Sequence, residues 1–317
     1  MAFAAGGPML EDEPGPSPAC LALPTLPEPA PMIPDGITLA QPHLNFYDFG
    51  PTPFFALPNE QRVSYCLYVP KSFATADAEA RRRWRLIVAM HGTGRTAAAY
   101  RDHFAAFADA HDCIVLAPLF PVGLIEPGEM SNYKRIKFHD MRFDRLVLDM
   151  VDLVGKRYDI DVSRVALFGF SGGGHFTHRF LYLHADRLFA VSIGAPGGVT
   201  LLDEDRDWWV GIRNLREVFG TDPDVDAMRR VAVQMVVGDA DLDTWEITLK
   251  PGMPGWMPDA NIAGATRVDK IRSLKASFEA KGIPVRLDLL PGVRHEGLKV
   301  VGAVQDFLAG AVAATRA

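Results

Sequence analysis

Three cysteines in 317 residues, Cys20, Cys66 and Cys113, are too few and too widely spaced for a disulfide framework or a zinc site. Cys66 and Cys113 fall inside apolar runs, where a buried thiol is the usual role. There is no excess of basic residues either. The chain has 33 Lys and Arg against 39 Asp and Glu, a formal net charge of −6, and so no electrostatic footprint for nucleic acid. Its one basic cluster, Arg81-Arg82-Arg83, lies beside acidic residues and reads as a solvated helix face. No apolar run approaches the length that spans a bilayer, so no membrane partner is expected. The N-terminus shows no basic stretch followed by an apolar one, and the expectation is a cytoplasmic chain without a signal peptide. No internal repeat is evident.

What the chain has in quantity is local. Residues 1–35 hold 9 of the 24 prolines, a density that removes backbone donors and blocks both helix and sheet. Residues 1–40 therefore read as a proline-rich extension, and 41–317 as one globular domain. With 48% hydrophobic residues the domain has enough apolar matter for a large core.

Within it, segments 62–70, 85–92, 113–120, 165–171, 190–196, 231–239 and 285–291 read as strands. Most are continuously apolar rather than alternating, as in strands buried on both faces of a parallel sheet. Helical patterns lie between them. Over 144–158, Leu146, Met150 and Leu153 share a face; over 267–281, Val268, Ile271, Leu274 and Phe278 do so. Thr266 and Asp269 open the second in capping-box spacing, and Gly282 closes it. Strands alternating with helices predict an α/β fold, a mostly parallel sheet covered on both faces.

The sharpest local signal is Gly169-Phe170-Ser171-Gly172-Gly173, directly after the apolar run 165–168. G-x-S-x-G between strand and helix is the form of a nucleophile elbow, a tight turn that lifts a serine hydroxyl clear of the sheet. Glycines two positions to either side relieve the crowding of that turn. A serine hydroxyl needs a base, and the base needs an orienting group; in elbow proteins the chain order is serine, acid, histidine. His295 is the histidine that follows the acid candidates and sits between the last strand and the C-terminal helix. For the acid, Asp239, Asp241 and Asp243 compete just past the strand 231–239. Backbone donors for a developing oxyanion are expected from the N–H of Gly172 and, after strand 85–92, from the N–H of Thr93.

These pieces together carry a resemblance. Tyr68-Val69-Pro70, His91-Gly92, the stretch 151–171, Gly238-x-x-Asp241 and Gly292-x-x-His295 make segment 62–309 resemble the α/β-hydrolases. Within them it is most similar to esterases of the polyhydroxybutyrate depolymerase and feruloyl esterase type. The resemblance implies Asp241, three residues after the glycine, as the acid rather than Asp239. It also implies a serine carboxylesterase that works through an acyl-enzyme on a small-molecule or oligomeric ester, with no metal or organic cofactor.

Loops leaving the carboxyl ends of the strands build the ligand site in such sheets. Three are long here, at about 121–139, 197–229 and 242–265, and cap-like. The last two hold Trp208, Trp209, Trp245 and Trp256, which predict a pocket for an apolar or aromatic group, with Tyr133 and Lys134 of the first loop as candidate polar contacts. Two alternatives share the same residues: an amidase or peptidase with this triad, and a non-catalytic binding protein on the same fold.

Overall fold

The computed structural model describes residues 43–316, so the proline-rich extension and Cys20 lie outside the described residues. Among the described residues the chain forms eleven strands: β1 Gly50–Pro51, β2 Phe55–Leu57, β3 Glu60–Val69, β4 Arg85–Met90, β5 Cys113–Leu119, β6 Lys137–Phe138, β7 Met141–Arg142, β8 Val165–Phe170, β9 Leu188–Gly194, β10 Ala232–Gly238 and β11 Arg286–Leu290. The α-helices are α1 Ala78–Arg81, α2 Ala97–His103, α3 Ala105–Ala110, α4 Phe143–Tyr158, α5 Gly172–His184, α6 Leu215–Phe219, α7 Val225–Arg229, α8 Arg267–Ala280 and α9 Val301–Ala314.

The main sheet runs β1-β3-β5-β4-β8-β9-β10-β11, with β2 also on β3. β3 is antiparallel to β1, β2 and β5. From β5 onward every pairing is parallel. All residues of β8 and β9 are buried, as are all but the first of β4 and β10. That is why these strands are continuously apolar in sequence. Two groups of helices cover the sheet. α2 and α9 meet through Gln305, which donates to the His103 carbonyl at 2.8 Å. α4, α5 and α8 meet through the His184–Asp144 pair and the Tyr182 and Phe278 rings.

The expected α/β architecture is present, with strand ends within two residues of their expected places. The capping box of α8 is made by Thr266 and Asp269, and Gly282 follows the helix at φ +72°. Two expectations need correction. Arg81 is buried rather than solvated: it donates to the Ala76 carbonyl and pairs with Asp159 across the fold. The helical run Gly297–Ala314 does reach 18 residues at a mean hydropathy of 1.3, because its many Ala and Val residues raise the average. It is a helix of the fold, packed on β9 and β10 through Val301, Val304, Leu308 and Val312.

Candidate active site

Ser171 leaves β8 with φ +56° and ψ −117°, a conformation that a residue with a side chain rarely adopts. Its own N–H donates to the Gly194 carbonyl at 2.8 Å, and its carbonyl accepts from the His175 N–H at 3.0 Å. The turn needs its glycines. A Cβ on Gly169 would lie 2.5 Å from the Gly173 carbonyl group, and one on Gly173 would lie 2.6 Å from the Met90 carbonyl oxygen. Backbone atoms on both sides close those positions.

His295 follows β11, and its Nε2 lies 2.9 Å from Ser171 Oγ. Its Nδ1 lies 2.6 Å from Asp241 Oδ2. A carboxylate only accepts, so Nδ1 carries the hydrogen and Nε2 keeps a lone pair toward the serine. The ring rests on Phe170, with centroids 4.9 Å apart. Asp241 is 2% exposed, and its Oδ1 accepts from Arg267 Nη1 at 3.2 Å. The three competing aspartates are therefore separated by what they touch. Asp239 accepts from the Gly292 N–H and holds the β11 turn. Asp243 pairs with Arg294 at the surface. Asp241 alone of the three reaches His295.

Opposite the serine stands the turn after β4. A Cβ on Gly172 would meet Thr93 N at 3.1 Å, so the Thr93 backbone nitrogen lies against the residue that follows Ser171. Neither the Gly172 N–H nor the Thr93 N–H donates to a partner among the described residues. Three groups hold the turn. Arg95 donates to the carbonyls of Thr93 at 2.6 Å, Met130 at 2.8 Å and Phe120 at 3.2 Å. Buried His91 accepts the Phe120 N–H on Nε2 at 3.1 Å and lies 2.7 Å from the Gly92 carbonyl through Nδ1. Burial pushes its pKa down to about 4, so it is neutral. Tyr133, fully buried, donates its hydroxyl to the His91 carbonyl at 3.1 Å.

A cavity of about 260 Å³ opens over Ser171, Gly172 and Thr93. Of the residues expected to shape it, only Trp209 and Lys134 line it. Trp208 turns its ring onto Phe219, 4.8 Å away edge to face. Trp245 is 80% exposed, and Trp256 stands half out of the surface. Tyr133 supports the Thr93 turn from beneath. The cavity wall is mixed: apolar Trp209, Phe138, Ile247, Leu249 and Pro254 stand beside Asn132, Lys134, Arg135, His175, Arg179 and Arg267. The Arg179 and Arg135 guanidinium carbons lie 5.5 and 5.3 Å from the centre of the Trp209 ring, both within cation–π range. Lys134 apart, none of these cations stands out in the sequence, because an arginine that faces a cavity has the same local pattern as one that faces solvent.

No family model matches the chain. It is similar to acetylxylan esterase A of Emericella nidulans, 28% identical over 145 residues, which are 44% of this chain and 45% of that protein. The matched part thus spans less than half of that relative. Among solved structures, it is similar to a poly(3-hydroxybutyrate) depolymerase from Bordetella parapertussis, with TM-score 0.62 and 23% identity over 78% of this chain and 83% of the other. It is also similar to poly(aspartic acid) hydrolase-1 from Sphingomonas sp. KT-1, with TM-score 0.59 and 20% identity over 77% and 92%.

Proposed function

Because the chain has the α/β-hydrolase fold, we propose that it is a serine hydrolase of the carboxylesterase type, with Ser171, His295 and Asp241 as its catalytic triad. The observation that carries this reading is the unbroken line from Asp241 through His295 to Ser171, at 2.6 and 2.9 Å, ending on a serine in a strained turn.

In this reading His295 Nε2 takes the Ser171 proton as Oγ attacks the ester carbonyl. The oxygen that gains negative charge faces the Gly172 and Thr93 N–H groups, donors already in place and costing no reorganisation. His295 then returns the proton to the departing alcohol, leaving an acyl-enzyme. A water deprotonated by His295 attacks that acyl group and releases the acid, and the proton goes back to Ser171. Asp241 holds the tautomer throughout and stabilises the imidazolium that forms twice in the cycle.

A fluorophosphonate probe, with the modified peptide mapped by mass spectrometry, tests the reading without knowledge of the substrate. A label on Ser171 is expected, absent in Ser171→Ala; folded protein that takes no label defeats the proposal. Ser171→Ala and His295→Ala should each lower kcat by roughly 10⁴–10⁶. A second reading, amide cleavage by the same machinery, is favoured by the likeness to a hydrolase named for poly(aspartic acid). Turnover of matched esters and anilides separates the two.

A further inference from the structure

The wall of the cavity over Ser171 carries charge of mainly one sign. Five cationic side chains line it, Lys134, Arg135, Lys137, Arg179 and Arg267. Two carboxylates oppose them, Glu129 and Glu246. Arg267 is already taken, ion-paired with Asp241 and Glu246. The other inner cations are held by neutral groups. Lys134 donates to Ser131 Oγ at 3.2 Å, and Arg135 to the Gly255 carbonyl at 3.4 Å. Arg179, 1% exposed, donates to Thr200 Oγ1 at 2.9 Å and to the Lys134 carbonyl at 2.5 Å. Among the described residues none of these three is ion-paired with a carboxylate.

Arg179 is buried, and Lys134 and Arg135 are half-buried. Glu129 and Glu246 lie near the latter two but outside ion-pair distance, so desolvation of these cations is only partly offset by attraction. Burial pushes the Lys134 amine down to about 8 and the Arg179 guanidinium down to about 9, and both remain charged at neutral pH. Two further donors in the wall have no partner. Asn132 Nδ2 and Arg267 Nε are buried and unbonded, each on a side chain 2% exposed. A wall of cations bonded only to neutral oxygens, backed by buried donors that have no partner, is complementary to an anionic acceptor group. The first turn of α5, with its free N–H groups, adds positive potential at the same place.

We propose that this cavity is a subsite for a carboxylate carried by the substrate within a few bonds of the scissile carbonyl. The inference rests on the hydrolase reading and narrows it to esters of acidic compounds. At about 260 Å³ the cavity lies below the roughly 300–1,000 Å³ typical of drug-sized ligands, so the group it receives is short. Lys134 stands nearest the chemistry, since its Cε would lie 3.0 Å from a Cβ on Gly172.

The test compares matched esters with the full chain. One pair places the charge on the acyl side, 4-nitrophenyl hydrogen glutarate against its methyl ester. The other places it on the alcohol side, the butyrate of 4-hydroxybenzoate against the butyrate of methyl 4-hydroxybenzoate. In one pair the anionic member should have a kcat/KM at least about tenfold higher, and that ratio should fall toward one in Lys134→Met, or in Arg135→Gln if the first variant does not fold. Calorimetry on Ser171→Ala, with the favoured half-ester and its neutral match, reads the same preference without turnover. Ratios near or below one in both pairs, on protein that takes the fluorophosphonate label, overturn the carboxylate subsite and leave the hydrolase reading intact. Preferential binding by Ser171→Ala with no turnover by the parent chain overturns the hydrolase reading instead.

Discussion

Ser171 illustrates what a single residue has to bear. Its φ of +56° with ψ of −117° lies outside the left-handed helical well, a placement that costs roughly 1–3 kcal/mol. Hydrogen bonds to Gly194 and His175, and the glycines around it, keep it there. Gly173 is the strictest of these positions, because a Cβ would lie 2.6 Å from the Met90 oxygen and 2.9 Å from the His91 oxygen. Both are backbone atoms of the β4 tip and cannot rotate away. Gly173→Ala should therefore lower stability by about 1–3 kcal/mol, read from the urea midpoint, and slow fluorophosphonate labelling. An unchanged midpoint would mean that the turn has more room than its geometry gives it. Arg267 is a second such residue. Its buried guanidinium holds Oδ1 of Asp241 while His295 holds Oδ2. Arg267→Gln removes one partner of a buried ion pair and should cost about 3–5 kcal/mol, with a lower kcat. A thermal midpoint equal to that of the parent chain would contradict this.

At the scale of elements, legibility follows burial. Strands β4, β8, β9 and β10 stood out in the sequence because the sheet buries both their faces. The elbow stood out because its turn admits few residue types, and His295 because the chain order left it little competition. β1 and β2, with two and three residues, are too short to show a period. Among three nearby aspartates, spacing without the family resemblance gave no choice. The choice depends on contacts with Gly292, Arg294 and His295, all more than fifty residues further on. The loops were the least legible, since their shape is set by side chains reaching distant carbonyls. Arg95 is the case with a functional consequence. By bonding the carbonyls of Thr93, Phe120 and Met130 it fixes the turn that carries Thr93, the second proposed oxyanion donor. Arg95→Met should lower kcat by roughly 10–100-fold, less than deletion of an oxyanion donor, and leave KM little changed. A rise in KM at constant kcat would instead assign Arg95 to substrate binding.

For the molecule as a whole, the strand-tip loops are tied down by histidines that have to stay neutral. His91 and His178 are wholly shielded from water and His175 is half-buried at the cavity; burial lowers the pKa of each, to about 4 for His91 and well below the ordinary 6.5 for the other two. In each, Nε2 accepts a backbone N–H from a loop over the sheet: Phe120 for His91, Gly198 for His175 and Thr200 for His178. Protonation would replace that acceptor with a second donor and set a charge in the core. In the unfolded chain the same rings take up protons near pH 6.5. Their contribution to stability is thus complete above that pH and declines as the pH falls toward the folded-state values. Below about pH 6 each ring contributes a slope of about 1.4 kcal/mol per pH unit, and the three together about 4. Between pH 6.5 and pH 4 this amounts to at most about 10 kcal/mol, so a domain in the lower half of the ordinary range of about 5–15 kcal/mol should unfold before or near pH 4. Urea midpoints measured from pH 7 to pH 4.5 should stay level at first and fall steeply below about pH 6, with close to three protons taken up on unfolding at pH 5 by these rings. A midpoint that holds level down to pH 5 would mean that the three rings tolerate protonation in place, and that the loops around Ser171 do not depend on them as hydrogen-bond acceptors.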